Sequence, residues 1–187
     1  MTKVVVVTGA SKGIGRAAAL HLAMQGFTVF AGVRKLEDGT ALEQEAKGQV
    51  TPILIDVTKQ EQVVAAAHQV ETAIGTNGLA ALVNNAGVAV AAPLEYLPLD
   101  ELRAQLEVNL VGQLGVTQAF LPLLRQAKGR IINISSIGAR IAGPLLGAYH
   151  ASKFALEALT DSLRLELQPL GIEVISIEPG AVATPIW

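Results

Sequence analysis

Lys3-Val4-Val5-Val6-Val7-Thr8-Gly9-Ala10-Ser11-Lys12-Gly13-Ile14-Gly15, running on into a helical pattern from Arg16 to Gln25, decides how this chain is read. Four successive valines ahead of turn formers predict a short strand buried on both faces. Gly9, Gly13 and Gly15 follow at once. Glycine permits a tight turn and close backbone approach, and the helix beyond it opens with unpaired amides that face an anion. Strand, glycine-rich turn and helix, in that order, form the arrangement that cradles the pyrophosphate of a dinucleotide. The spacing is G-x-x-x-G-x-G rather than G-x-G-x-x-G, and an ordinary strand-to-helix turn can also carry glycines.

Outward from this stretch the hydrophobic period alternates. Apolar runs at 3–8, 28–33, 50–55, 79–84, 130–135 and 172–178 predict strands, and helical patterns cover 13–25, 59–75, 99–127 and 149–168, with a shorter helix over 40–47. Such βαβ repetition predicts an α/β, doubly wound parallel sheet with helices on both faces. No linker or solenoid repeat divides it, so residues 1–187 are read as a single domain. With 51% of residues hydrophobic, a sizeable core is available. The net charge of −2 gives no reason to expect nucleic acid or an anionic membrane as partner. The absence of cysteine removes disulfides and thiol catalysis, and no apolar run approaches the roughly 20 residues of a membrane span. A cytoplasmic protein is expected.

A second constellation lies at Tyr149-His150-Ala151-Ser152-Lys153, with Ser136 thirteen residues upstream. Positions i and i+4 of a helix share a face, which places an ammonium one turn from a phenol. A free tyrosine titrates at about 10, and a neighbouring cation favours its ionised form. Gly143-Pro144 and Gly147 break the chain just before, so Tyr149 falls in a helix's first turn, where the macrodipole pushes the same way. The pattern suits proton transfer, although two surface residues sharing a face would look the same.

Taken together, the glycine spacing and Tyr-x-x-x-Lys resemble the short-chain dehydrogenase/reductase family, whose domain is of Rossmann type. Further motifs carry the resemblance along the chain: Asn84-Asn85-Ala86-Gly87 after the fourth strand, Asn109 in mid-helix, Ser135-Ser136 ending the fifth strand, and Pro179-Gly180. It implies hydride transfer between a nicotinamide and a carbonyl carbon, with Asn109, Ser136, Tyr149 and Lys153 as the catalytic set. Tyr149 would be the proton donor, Ser136 would polarise the oxygen, and Lys153 would serve both phenol and nicotinamide ribose. Asn109 would hold a proton-relay water, or simply pack its helix. Members of the family typically continue beyond Pro179-Gly180 into a lid, a helix and a seventh strand, so the lid and the C-terminal strand are expected to be missing from this sequence.

The same resemblance assigns cofactor contacts to Gly9, Ser11, Lys12, Gly13, Ile14 and Gly15 in the first turn. Asn85, Ala86 and Gly87 would line the adenosine ribose, Pro179, Gly180, Val182 and Thr184 would lie beside the nicotinamide, and Asn84 would tie neighbouring strands. Asp56 and Val57 would meet the adenine, while Asp56 could equally cap a helix beginning near Lys59. NAD enzymes place an acid about 20 residues after the glycines. Here no acid stands between Met24 and Leu36, whereas Lys12 and Arg34 offer a 2'-phosphate clamp, so NADP(H) is expected over NAD(H). Similarity to the retinol and hydroxysteroid dehydrogenase branches implies a lipophilic alcohol or ketone, with Ile141, Leu145, Leu146 and Trp187 as candidate pocket walls, or equally as core or oligomer contacts. A 3-oxoacyl-[acyl-carrier-protein] reductase, or a scaffold that binds NADP(H) without turnover, is the alternative. The family's paired helices imply a homodimer or homotetramer. His21, His68 and His150 are read as bystanders, and no cluster has metal-ligand spacing.

Overall fold

The computed structural model describes residues 3–184 and 186. Six strands, β1 (Val4–Val7), β2 (Thr28–Val33), β3 (Val50–Leu54), β4 (Ala81–Asn84), β5 (Arg130–Ile134) and β6 (Glu173–Ile177), form one parallel sheet in the order β3-β2-β1-β4-β5-β6. The helices between them are α1 (Gly13–Met24), α2 (Glu37–Glu45), α3 (Gln60–Ile74), α4 (Leu99–Leu106), α5 (Gly112–Ala127) and α6 (Gly147–Leu167). Strand order reverses between β1 and β4. In a doubly wound sheet the crevice at such a switch point is where ligands bind.

The valines of β1 show why both faces must be covered. Val4 and Val6 enter one apolar cluster with Phe120, Leu124 and Ile131, while Val5 and Val7 enter a second with Ala19, Ala23 and Leu42. The period of two splits the run cleanly between faces. On the first face α3 contributes Val63, Ala66, Val70 and Ile74, spaced to form one helical stripe. Pro52 is tolerated because β3 is an edge strand that pairs only with β2.

The expected helix over 99–127 is continuous but not uniform. Between α4 and α5 the segment Glu107–Val111 is a π turn, in which the Gly112 amide reaches back to the Glu107 carbonyl. A side chain at Gly112 would lie 2.7 Å from the Val57 carbonyl, so only glycine lets this helix approach the end of β3. The helix expected over 40–47 begins three residues earlier, at Glu37, and its two acidic first-turn residues favour that end. Among the described residues no helix is long and apolar enough to cross a membrane.

Candidate active site

One cleft of about 470 Å³ runs along the C-terminal ends of all six strands. Its floor is the turn after β1. Gly9 has φ +63°, and a Cβ there would stand 2.8 Å from Ala86 Cα. Lys12 precedes α1 in an extended conformation with no side-chain cap, so no carboxylate or hydroxyl competes for the first amides of the helix. Gly9, Ser11, Lys12, Gly13 and Ile14 line the cleft. Gly15 does not: it lies behind the wall, where a Cβ would meet the Gly9 carbonyl at 2.5 Å. It sets how closely α1 approaches the turn.

Thr8, a residue that sequence reasoning did not single out, latches this turn to the one after β4. Its fully buried hydroxyl accepts from the amides of Asn85 (3.0 Å) and Ala86 (3.1 Å). The Asn85 side chain returns bonds to the carbonyls of Thr8 (2.9 Å) and Gly9 (3.1 Å). Gln113 Nε2 holds the Ala86 carbonyl at 2.5 Å. Asn84, turned away from the cleft, donates to Asn133 Oδ1 (3.0 Å) and Thr117 Oγ1 (2.8 Å), tying β4 to β5 and to α5. Asn85, Ala86 and Gly87 all face the opening.

Arg34, Asp56 and Val57 line the other end. The expectation that Asp56 caps a helix is corrected. Helix α3 starts at Gln60 with Lys59 before it and no side-chain cap, and the Asp56 carboxylate instead accepts from the Thr58 amide (3.0 Å) and hydroxyl (2.7 Å). Burial pushes this carboxyl up, but the bonds from Thr58, with Lys59 and Arg34 nearby, prevail and hold it below its ordinary value.

At the opposite end Ser136, Tyr149 and Lys153 converge on the same cleft. Ser136 follows β5, and its Oγ accepts from the Gly138 amide at 3.0 Å. Tyr149 stands in the first turn of α6 as expected. Lys153 is 4% exposed; its Nζ donates to the Ile134 carbonyl at 2.9 Å and lies 5.8 Å from the centre of the Tyr149 ring. Burial depresses the ammonium to about 8, against an opposing pull from Glu157.

Asn109, wholly buried in the π turn, does not reach the cleft wall. Its Oδ1 accepts from the Val88 amide (2.9 Å), and its Nδ2 donates to the Val88 carbonyl (2.9 Å) and Ser152 Oγ (3.0 Å). The side chain is thus engaged by protein, binding the β4 loop to α6 behind Lys153. His150, expected to be a bystander, stands at the cleft. It is 9% exposed, faces the cleft, sits edge-on to the Tyr149 ring and has Nδ1 2.8 Å from the Gly138 carbonyl. Nothing in its sequence context distinguishes it from any residue within Tyr-x-x-x-Lys. His21 and His68 are exposed, on α1 and α3.

Pro179, Gly180, Val182 and Thr184 close the cleft beyond β6. Ile141 and Leu146 line it as expected, whereas Leu145 points elsewhere, 55% exposed at φ +67°, its carbonyl accepting from the Ala92 amide. Trp187 lies outside the described residues.

Sheet order, the uncapped glycine turn and a cleft spanning both halves define a protein of the doubly wound α/β class. The short chain dehydrogenase family model matches residues 3–187, and the chain belongs to that family. It is 43% identical over 183 residues to retinol dehydrogenase 5 of Mus musculus, covering 97% of this chain and 57% of that protein. It is 41% identical over 187 residues to the NADPH-dependent 3-dehydrocapnine reductase of Ornithobacterium rhinotracheale, covering 97% and 66%. An alcohol dehydrogenase from the archaeon Thermococcus sibiricus, complexed with 5-hydroxy-NADP, superposes with TM-score 0.90 at 32% identity, over 97% of this chain and 77% of that one. The chain thus spans 57% and 66% of the length of these two curated relatives. The family binds NAD(P) nucleotides, and the uncapped amides, small residues and length of the cleft fit such a group.

Proposed function

We propose that this chain carries the cofactor and proton-transfer machinery of an NADP(H)-dependent oxidoreductase that interconverts an alcohol and a carbonyl. The observation that carries the reading is the convergence of Ser136, Tyr149 and Lys153 on the cleft whose floor is the Gly9–Ile14 turn. When bound, a nicotinamide supplies the hydride that reduces the carbonyl carbon, or accepts it in reverse. Tyr149 Oη gives its proton to the substrate oxygen as the alkoxide develops, and takes it back in the oxidising direction. Ser136 Oγ donates a hydrogen bond to that oxygen, fixing its place and polarising it. The Lys153 ammonium, beneath the phenol, favours loss of the phenolic proton. Asn109 keeps α6 and the Val88 loop in register behind it.

At the adenosine ribose 2' position the reading favours the phosphate of NADP(H). Arg34 and Lys12 both face the adenosine end of the cleft, and β2 ends without an acid. Arginine's planar fork suits a phosphate monoester. A relative described as NADPH-dependent and a neighbour complexed with an NADP derivative agree with it. The substrate is read as a lipophilic ketone or secondary alcohol, since Ile141, Leu146 and Val88 give the reacting end apolar walls.

The test is initial-rate oxidation of NADPH and NADH against a panel of ketones and aldehydes. Turnover should favour NADPH, fall at least about 100-fold in Tyr149→Phe, and lose its NADPH preference in Arg34→Asp. Tight NADPH binding without turnover on the panel would favour a binding-only scaffold, and an unchanged cofactor ratio in Arg34→Asp would sink the clamp.

A further inference from the structure

Glu157 lies on α6 one turn beyond Lys153, and only 6% of it is exposed. Its Oε1 accepts from Ser176 Oγ at 2.5 Å, and its Oε2 faces Arg140 Nη2 at 3.4 Å. Arg140 grips Glu178 as well, through Nε at 3.0 Å and Nη2 at 2.6 Å. These residues come from three segments, and each segment ends in the cleft. Arg140 closes the short 3-10 turn Ile137–Ala139 that begins at Ser136. Glu157 shares its helix with Tyr149 and Lys153, while Ser176 and Glu178 flank the end of β6 just before Pro179.

A carboxylate at this depth is costly unless it is paired and hydrogen-bonded, and an apolar side chain would pack there at no such cost. Beside the neutral Ser176, its charged neighbours come from two directions. Arg140 faces it from the loop after β5 and holds Glu178 beyond β6, and Lys153 and Asp161 stand one turn away on its own helix. Glu157, Arg140 and Glu178 together carry a net charge of −1. Around Lys153 itself, the Ile134 carbonyl accepts from Nζ, Tyr149 lies to one side, and Asn109 and Ser152 are neutral.

We propose that Glu157 is a positioning residue for Lys153, a negative charge locked by Arg140 and Ser176 that keeps the buried ammonium charged. The catalytic importance of that charge rests on the oxidoreductase reading, but the charge itself is measurable on the protein alone.

The experiment is an NMR pH titration of protein carrying lysine labelled with carbon-13 at Cε, without substrate or nucleotide, with the Lys153 signal identified by its loss in Lys153→Arg. The wild-type signal should turn over near about 8. Glu157→Gln should move that midpoint down by about one unit or more, a tenfold loss of proton affinity, and Glu157→Asp should restore most of it. Arg140→Gln removes a positive charge from the same cluster and should move the midpoint up. A general loosening of the fold would shift both variants the same way. An unchanged midpoint in a natively folded Glu157→Gln protein would overturn the proposal, as would a fall in Arg140→Gln, which also decides the matter should Glu157→Gln not fold. If the titrations behave as stated but no carbonyl compound turns over, the oxidoreductase reading fails and this one stands.

Discussion

Lys153 is protonated in folded and unfolded chains alike below about 8, and in neither well above 10.5. Between those values the unfolded chain binds more protons, so this side chain makes the unfolding free energy rise with pH across that window. At 1.36 kcal/mol per unit the rise is about 3 kcal/mol. Lys153→Met should therefore gain stability over wild type at pH 7, and the gain should shrink as pH climbs from 8 to 10; urea unfolding at both ends measures it. Among single residues, those that act through a fixed spacing were the legible ones. Tyr149, Lys153 and Ser136 announce themselves because a helix turn and a strand end convert sequence distance into spatial distance. His150, Thr8 and Arg140 do not, because their partners lie 12, 77 and 38 residues away.

At the level of elements, the π turn at Glu107–Val111 concentrates what the sequence hides. Leucine and alanine periodicity runs unbroken from 99 to 127, and a shift of one hydrogen bond leaves no compositional mark beyond Asn109 and Gly112. Such turns occur frequently at functional sites because they re-aim a side chain within a rigid rod. Asn109→Leu would orphan the Val88 amide and carbonyl, both now satisfied by one side chain. These groups are partly buried, so with about 1–3 kcal/mol for a fully buried unsatisfied group as the upper bound, thermal unfolding should show a loss of a few degrees for a domain of this size. An unaltered transition would mean that the Val88 loop finds other partners. The strands were more legible than the helices' interiors, since valine-rich runs bounded by glycine leave few alternatives.

For the whole molecule, the π turn before α5 and helix α6 leave apolar side chains in water: Val111 in the turn is 52% exposed, and on α6 Phe154 is 46% and Leu165 72% exposed. Phe154 and Leu165 are three helical turns apart and therefore share a stripe. A homodimer or homotetramer joined through these helices is the expected state. Light scattering at micromolar concentration should give a multiple of the chain mass, reduced by Phe154→Glu with Leu165→Glu. A monomer in the parent protein would leave that stripe without this purpose. Sheet order was only partly legible, because the alternation of strand and helix requires a parallel sheet but does not say which strand lies beside β1.

On one side that neighbour is β2, and on the other it is β4. The Thr8 amide bonds to the Val83 carbonyl, and the Asn85 side chain bonds to the carbonyls of Thr8 and Gly9. During synthesis the glycine turn leaves the ribosome more than seventy residues ahead of the segment that shapes it. Until β4 docks, β1 has an open edge and the turn lacks the bonds that fix its carbonyls, a long-range closure of the kind that slows folding. Capture of a nucleotide in this cleft would therefore come late in the life of each chain, and a bound dinucleotide would report that the two halves of the sheet have met.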